Sequence, residues 1–334
     1  MDSLTHIALG ACIGEAFFGE KIGKKAMLWG ALAQSIPDID FVAQLWMNPA
    51  AALLAHRGFT HSILFAIIIT PFLALVAEKW HRPHIISFRK WTFFFALQLI
   101  VHIFIDAFNN YGVGWFEPFS HYRISFNTIY VADPFFSIWP GIAFVVLLLT
   151  GRKNVYRKFW WRFGIIMPTL YMAYCIENKM NIDREVKEIA QDQSLKFSVM
   201  LTTPTPLNNW LWYIILASDS GYHIGFRSVF DNKKKIDFHY FPRNDSLLKP
   251  FRNSETLQKL VRFSKGYYSA EKWSDTLVFN DLRFGQIVGW YDPKEKFVFH
   301  YFLQHANKLL VQRGRFENWD WITFKSLIAR IRGD

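Results

Sequence analysis

Four apolar runs in the first half of the chain, residues 62–76, 91–108, 135–150 and 160–176, constrain the fold more than any other feature. A helix needs about 20 apolar residues to cross the hydrocarbon of a bilayer, so each run spans only by recruiting its flanks. Two weaker apolar stretches precede them, residues 4–18 and 26–36, joined by Gly19-Glu20-Lys21-Ile22-Gly23-Lys24-Lys25. They read either as two further spans or as a shallow helical hairpin. Composition agrees: of 334 residues, 51% are hydrophobic, 18% aromatic and 19% charged, which excludes a disordered tail or a collagen-like fibre.

Basic residues punctuate the runs. Lys21, Lys24 and Lys25, then Lys79, Arg82, Arg89 and Lys90, then Arg152, Lys153, Arg157, Lys158 and Arg162 mark three connections, whereas residues 37–61 and 109–134 hold only Arg57 and Arg123. Short loops rich in Lys and Arg stay in the cytoplasm. Six passes therefore put residues 37–61, 109–134 and everything after 176 outside without a conflict; four passes with a surface hairpin put the same loops outside. On this reading the net charge of +11 reports membrane topology, and no nucleic acid is expected as a partner. The opening residues, Met1-Asp2-Ser3-Leu4-Thr5-His6, lack a basic n-region and do not read as a removed signal peptide. Cys12 and Cys175 sit in apolar stretches with no paired spacing, which excludes a disulfide framework and a cysteine zinc site.

A second pattern lies in the polar residues set among or beside these runs: His6, Asp38, Asp40, His56, His61, His102, Asp106 and Asp133. Taken singly, each reads as a helix cap, a turn residue or a satisfied core group. His102 and Asp106 are harder to dismiss, because residues four apart in an apolar helix share one face and can hold one cation between them. Ionisable pairs inside a membrane segment are functional by default. In the six-pass topology all eight residues fall at the outer end of the bundle. Four imidazoles and three or four carboxylates there form a zinc-type donor set for one to three divalent ions, with manganese as the alternative. Asp38 and Asp40 are candidate catalytic carboxylates as well as ligands, and Arg57 is a candidate to neutralise substrate charge. There is no Gly-rich phosphate loop, no serine nucleophile elbow and no HExxH.

The ordered set Met1-Asp2-Ser3-Leu4-Thr5-His6, Pro37-Asp38-Ile39-Asp40, His56-Arg57-Gly58-Phe59-Thr60-His61-Ser62, the His102/Asp106 helix followed by Tyr111-Gly112, and Asp133-Pro134 resembles the YdjM-like family of membrane-bound metal-dependent hydrolases over about residues 1–150. Pro204-Thr205-Pro206-Leu207 with Trp210 and Trp212 is similar to longer members. The resemblance implies an inner-membrane location and a metal-dependent hydrolase. The family in turn is distantly similar to zinc phospholipase C and related single-strand nucleases, which implies His6, Asp38 or Asp40, His56 or His61, His102 and Asp106 as ligands. Two departures stand out: those enzymes bind metal through a free N-terminal Trp, and they carry a further His where this chain offers Gly112, His121 and Asp133.

After Lys179 the pattern changes. Residues 182–193 read as a charged helix, 253–264 as a second helix with Ser254 as its cap, and 197–201, 210–217, 223–230, 237–241, 276–280, 286–291 and 297–302 as strands. The expected architecture is an all-α polytopic membrane bundle of about four to six segments over residues 1–178, then a soluble, extracytoplasmic α+β or mostly β domain over 179–334. The expected function is hydrolysis of a phosphoester, such as a phospholipid or another amphiphile, by metal-activated water. The alternative is a non-catalytic membrane scaffold or regulatory accessory protein with a structural metal, with the C-terminal domain available to a protein partner.

Overall fold

The structure, a computed structural model, describes residues 1–81, 86–303, 316 and 319–333. Arg82, one of the cations of the second basic connection, lies outside the described residues. The chain divides into two compact units, Met1–Leu45 with Ala55–Cys175, and Trp46–Leu54 with Ile176–Asp334.

The first unit is helical. Its opening apolar stretches form α1 (Ser3–Ile22) and α2 (Lys24–Ser35). Asp2 starts α1 by accepting from the Thr5 amide at 3.0 Å, and Gly23, at a φ of 60°, makes the turn between the helices. The pair can only be this close because small residues line the seam. A Cβ on Gly10 would strike the Gly30 carbonyl, and one on Gly30 would strike that of Gly10. This approach brings His6 of α1 level with Gln34 of α2. A 3-10 segment, Pro37–Leu45, follows, and after a further 3-10 turn, Phe59–His61, come α4 (Ile63–Trp80), α5 (Phe88–Asp106) and α6 (Pro134–Leu149). Helix α3 (Pro49–Ala55), between them in sequence, falls mainly in the second unit.

Two of these helices, α4 and α5, are long and apolar enough to cross a membrane; α6 is apolar but has only 16 residues. The burial of α4 is the reverse of a water-soluble helix. On α4 the buried positions are Ala66, Thr70, Ala74 and Ala77, while Ile67 and Phe72 are 64% and 60% exposed. Small residues facing the neighbouring helix and large apolar ones facing out is the arrangement of a helix packed in lipid, where the outward face needs no polar cover.

Helix α7 (Arg157–Asp192) runs on for 36 residues, where the sequence pattern predicts separate helices at 160–176 and 182–193. Nothing between them breaks a helix: residues 177–181 are Glu-Asn-Lys-Met-Asn, polar but without Gly or Pro.

The second unit holds two antiparallel sheets. β1 (Val199–Pro204), β2 (Leu211–Ala217), β3 (Gly221–Ser228) and β4 (His239–Pro242) pair in that order; β5 (Tyr268–Trp273), β6 (Thr276–Gln286) and β7 (Phe297–Phe302) form the other. The short helices α8 (Asp245–Leu248) and α9 (Glu255–Phe263) lie between the sheets in sequence, and α10 (Trp321–Ile331) comes near the end. β2 shows why its sequence is apolar throughout. Trp212, Ile214 and Leu216 pack on Ile182, Val186 and Ile189 of α7, while Tyr213 and Ile215 on the opposite face join Leu282 and Phe297 of the second sheet. The expected strands 276–280 and 286–291 are one strand and a turn: β6 continues to Gln286 because Asp281 and Arg283, which break the apolar alternation, pair with each other at 2.6 Å inside the sheet. β5 has no counterpart among the strands expected from the sequence.

Candidate metal centre

The first unit gathers four of the singled-out residues tightly. One ligand atom each from Asp38, His61, His102 and Asp106 lies within 4.8 Å of all the others. Three elements supply them. Asp38 opens the 3-10 segment after Pro37, His61 closes the 3-10 turn before α4, and His102 and Asp106 sit one turn apart at the end of α5.

The hydrogen bonds fix which nitrogen of each imidazole faces inward. His102 Nδ1 lies 2.6 Å from the Gln34 carbonyl, which only accepts, so Nδ1 carries the proton. His61 Nδ1 lies 3.2 Å from Asp40 Oδ2 and is protonated for the same reason. The two Nε2 atoms, left as lone pairs, face each other 3.2 Å apart. Around His61 Nε2 stand Asp38 Oδ1 at 3.5 Å and Asp106 Oδ2 at 3.4 Å; around His102 Nε2 the same oxygens stand at 3.6 and 3.7 Å. Four lone-pair donors thus converge with no proton between them, an arrangement that repels itself unless a cation sits among them. Asp106 Oδ2, buried, makes no hydrogen bond. Its unspent lone pairs, with two nitrogens and a second carboxylate, fit a divalent metal of the zinc type.

The remaining residues surround this group in different roles. His6 Nε2 is 3.2 Å from Asp106 Oδ1, its Nδ1 is 3.2 Å from Gln34 Oε1, and its ring stacks on His102 with centroids 3.9 Å apart. Asp40 has both oxygens engaged: Oδ1 with His56 Nδ1 at 2.9 Å, Oδ2 with the Arg57 amide at 2.7 Å and the Thr60 hydroxyl at 3.0 Å. Burial acts to raise the pKa of Asp40, but the hydrogen bonds from His56 and His61 outweigh it and hold the carboxyl below the usual carboxylate range. For Asp38, too, the neighbouring His102 and His61 side chains outweigh burial and lower the pKa, so both carboxylates are ionised at neutral pH. His56, 35% exposed, is the most accessible imidazole of the four around the centre; burial lowers its pKa against the opposing pull of Asp40.

Arg57 is buried at a φ of 58°. Its Nη1 donates to Asn109 Oδ1 at 2.7 Å and its Nη2 to the Met1 carbonyl at 3.1 Å, while Nε, 3.3 Å from Asp106 Oδ2, makes no hydrogen bond. Asp133 stands apart from the four. Its Oδ1 accepts from the Phe135 and Phe136 amides at 2.8 and 3.1 Å, capping α6, and its Oδ2 from the Tyr171 hydroxyl at 3.1 Å. Burial pushes its pKa up to about 6. His121 is exposed and bonds Glu117.

Sequence reasoning missed Gln34, which touches His6 through its side chain and His102 through its carbonyl, and Gln98, whose Oε1 and carbonyl accept from Gln34 Nε2 at 3.0 and 2.9 Å. The signal was available: each is an amide set in an apolar helix, costly without a partner. The Met1 amine, which pairs with Asp106 Oδ1, left no such signal.

A family model described as YdjM inner membrane protein matches residues 1–181, a span holding every residue of this centre. The chain belongs to the YdjM inner membrane protein family. It is 30% identical over 235 residues to the uncharacterized protein YfhP of Bacillus subtilis (strain 168), an alignment covering 67% of this chain and 68% of YfhP. It is also 30% identical over 155 residues to inner membrane protein YbcI of Escherichia coli (strain K12), covering 46% of this chain and 82% of YbcI. No solved structure matches. As a YdjM-family protein the chain is assigned to the inner membrane, and its match to YfhP reaches beyond the helical unit, since 235 aligned residues exceed the 181 of the family match.

Proposed function

We propose that this YdjM-family protein is a multi-pass membrane hydrolase that cleaves a phosphoester in a phospholipid or similar amphiphile at the outer face. The observation that carries the reading is the convergence of Asp38, His61, His102 and Asp106 with an unspent buried oxygen on Asp106. A divalent cation held by these four, zinc by donor type or manganese, would supply Lewis acidity toward a phosphoryl oxygen and an acidified water.

The chain's own groups divide the remaining work. Asp40, with its oxygens engaged, orients His61 and His56 and is not itself a ligand. His56, partly exposed and bonded to Asp40, is placed to move a proton between solvent and the centre. Arg57 offers an unspent Nε beside Asp106 and can meet negative charge on a substrate. The amphiphile follows from the neighbours of the carboxylates. Ile39, Phe41 and Leu45, on the segment that carries Asp38 and Asp40, are 58%, 62% and 81% exposed, and Leu4, two residues from His6, is 77% exposed. Such side chains beside a polar centre suit immersion in a leaflet. Orientation follows from charge. The Lys24 ammonium reaches the Leu148 carbonyl and Arg152 those of Glu20 and Lys21, so two basic turns meet at the end of the bundle away from His6, the end that belongs in the cytoplasm.

One observation favours a second reading, a structural metal in a non-catalytic scaffold: the side chains of His61, His102 and Asp106 have no exposed surface, and that of Asp38 only 16%. Elemental analysis of detergent-purified protein, wild type beside His102→Ala/Asp106→Ala, tests both. Hydrolysis predicts one to three equivalents of metal lost in the variant, with phosphoesterase or phospholipase activity falling by about a thousandfold or more. Metal without activity against any phosphoester leaves the scaffold, and no metal even after reconstitution overturns both.

A further inference from the structure

A second site lies at the other end of α1. Glu15 is nine residues beyond His6, about 13 Å along the helix axis. There a cavity of about 520 Å³ is lined by five basic side chains, Arg152, Lys153, Arg157, Lys158 and Arg162, against two carboxylates, Glu15 and Glu20. Both carboxylates are engaged. Glu15 is gripped by Arg157 through two bonds of 2.6 and 2.7 Å, and Glu20 meets Lys158 at 3.0 Å. The lining therefore keeps an excess of positive charge. A second cavity, of about 600 Å³, shares Ala16 and Trp161 with the first and is otherwise apolar, running past Ile13, Phe17, Leu97, Val101 and Ile165. A cationic chamber and an apolar groove that share two wall residues together suit an amphiphile with an anionic head.

We propose that this pair of cavities binds an anionic phospholipid of the inner membrane, its phosphate held by Arg152, Lys153 and Arg162 and one acyl chain lying in the groove between α1, α5 and α7. The surroundings suit the headgroup boundary: Val155 and Tyr156 are 79% and 66% exposed, and Trp161 stands between the two cavities with the Arg162 guanidinium 5.2 Å from its ring. Basic pockets between membrane helices on the cytoplasmic side bind anionic headgroups in this way. A free phosphate would use the chamber alone and leave the groove without a role. The inference needs the family's membrane setting but no chemistry at the metal centre.

The test is lipid binding by native mass spectrometry on detergent-purified full-length protein, titrated with dioleoylphosphatidylglycerol or dioleoylphosphatidylcholine. Wild type should hold phosphatidylglycerol at least tenfold more tightly. That preference should vanish in Arg152→Gln/Lys153→Gln/Arg162→Gln, and phosphatidylglycerol binding should weaken tenfold in Val101→Trp, which fills the groove. Equal binding of the two lipids by wild type, or a preference surviving in the triple variant, would overturn the proposal. So would displacement of the lipid by 10 mM inorganic phosphate, which would mark a phosphate site. His102→Ala serves as the control: unchanged phosphatidylglycerol binding there locates the lipid away from the metal centre, and loss refutes the assignment. Equal melting temperatures for wild type and the triple variant exclude misfolding as the cause.

Discussion

The two ends of the helical unit each bury an arginine beside a carboxylate, and they treat the pair in opposite ways. At one end Arg157 closes on Glu15 with two short bonds, and its Nη1 also reaches the Leu147 and Thr150 carbonyls at 2.7 and 2.9 Å. Every nitrogen of Arg157 has a partner. At the other end Arg57 spends both Nη groups on Asn109 and Met1, and its Nε stands beside Asp106 Oδ2 without bonding it. A closed pair is complete as it stands; an open one, in a protein interior where unmade hydrogen bonds are costly, is held for something else.

The sharpest way to break this contrast is to remove one acid from each end. Glu15→Ala leaves Arg157 buried with its charge uncompensated and should lower stability by about 3–5 kcal/mol, read from chemical or thermal unfolding in detergent, while metal per folded molecule stays at the wild-type level. Asp106→Asn should instead take the metal from the folded protein, since it replaces one ligand oxygen by an amide while keeping an oxygen for the Met1 amine and His6. Replacing the closed pair together, Glu15→Met/Arg157→Met, should restore most of the lost stability. If Glu15→Ala costs metal and Asp106→Asn does not, the assignment of the two ends is wrong.

What the sequence makes legible follows the same division. The apolar runs at 62–76, 91–108 and 135–150 coincide with α4, α5 and α6. His102 and Asp106 are legible as a pair because helical spacing fixes their relation, and in the structure they stand 3.7 Å apart. The partners that turn a set of polar residues into a centre are not legible. Which of Asp38 and Asp40 faces His102 depends on the path of one 3-10 segment, and only the structure shows Asp40 turned to His56 and His61. Asp133 is legible in its other reading. An Asp immediately before Pro134 is a helix-start signal in its own right, and capping α6 is what it does.

Asp133 also gives the contrast a pH dependence. Its folded-state pKa of about 6 lies above the ordinary value of 3.8, chiefly because it is buried. The protonated form is thus favoured by folding: the stability it contributes is fully present below pH 3.8 and is lost as pH rises through 6. The loss amounts to on the order of 2–3 kcal/mol between these limits. Asp133→Asn keeps an oxygen for the Phe135 and Phe136 amides and cannot ionise. The difference in unfolding free energy between the variant and wild type should therefore shift in favour of the variant from pH 4 to pH 7. A pH-independent difference would mean that Asp133 titrates normally, and a shift of the opposite sign would place it beside a cation.

The smallest expected effect tests how the open end is held open. Gln34 Oε1 accepts from His6 and the Gln34 carbonyl from His102, so one residue fixes the tautomer of two stacked imidazoles and leaves both Nε2 atoms pointing into the centre. Gln98 in turn accepts from Gln34 Nε2, which settles which way that amide points. Groups in this position affect metal affinity by roughly 10- to 100-fold. Gln34→Met retains the carbonyl that holds His102 and frees only His6, so its effect should fall near the lower figure, with Gln98→Met weaker still. Competition against a chelator of known affinity reads this directly. A purely packing role would lower the melting temperature of the metal-free protein and leave the affinity of the folded fraction unchanged, whereas orientation of the imidazoles predicts weaker binding at an unchanged metal-free melting temperature.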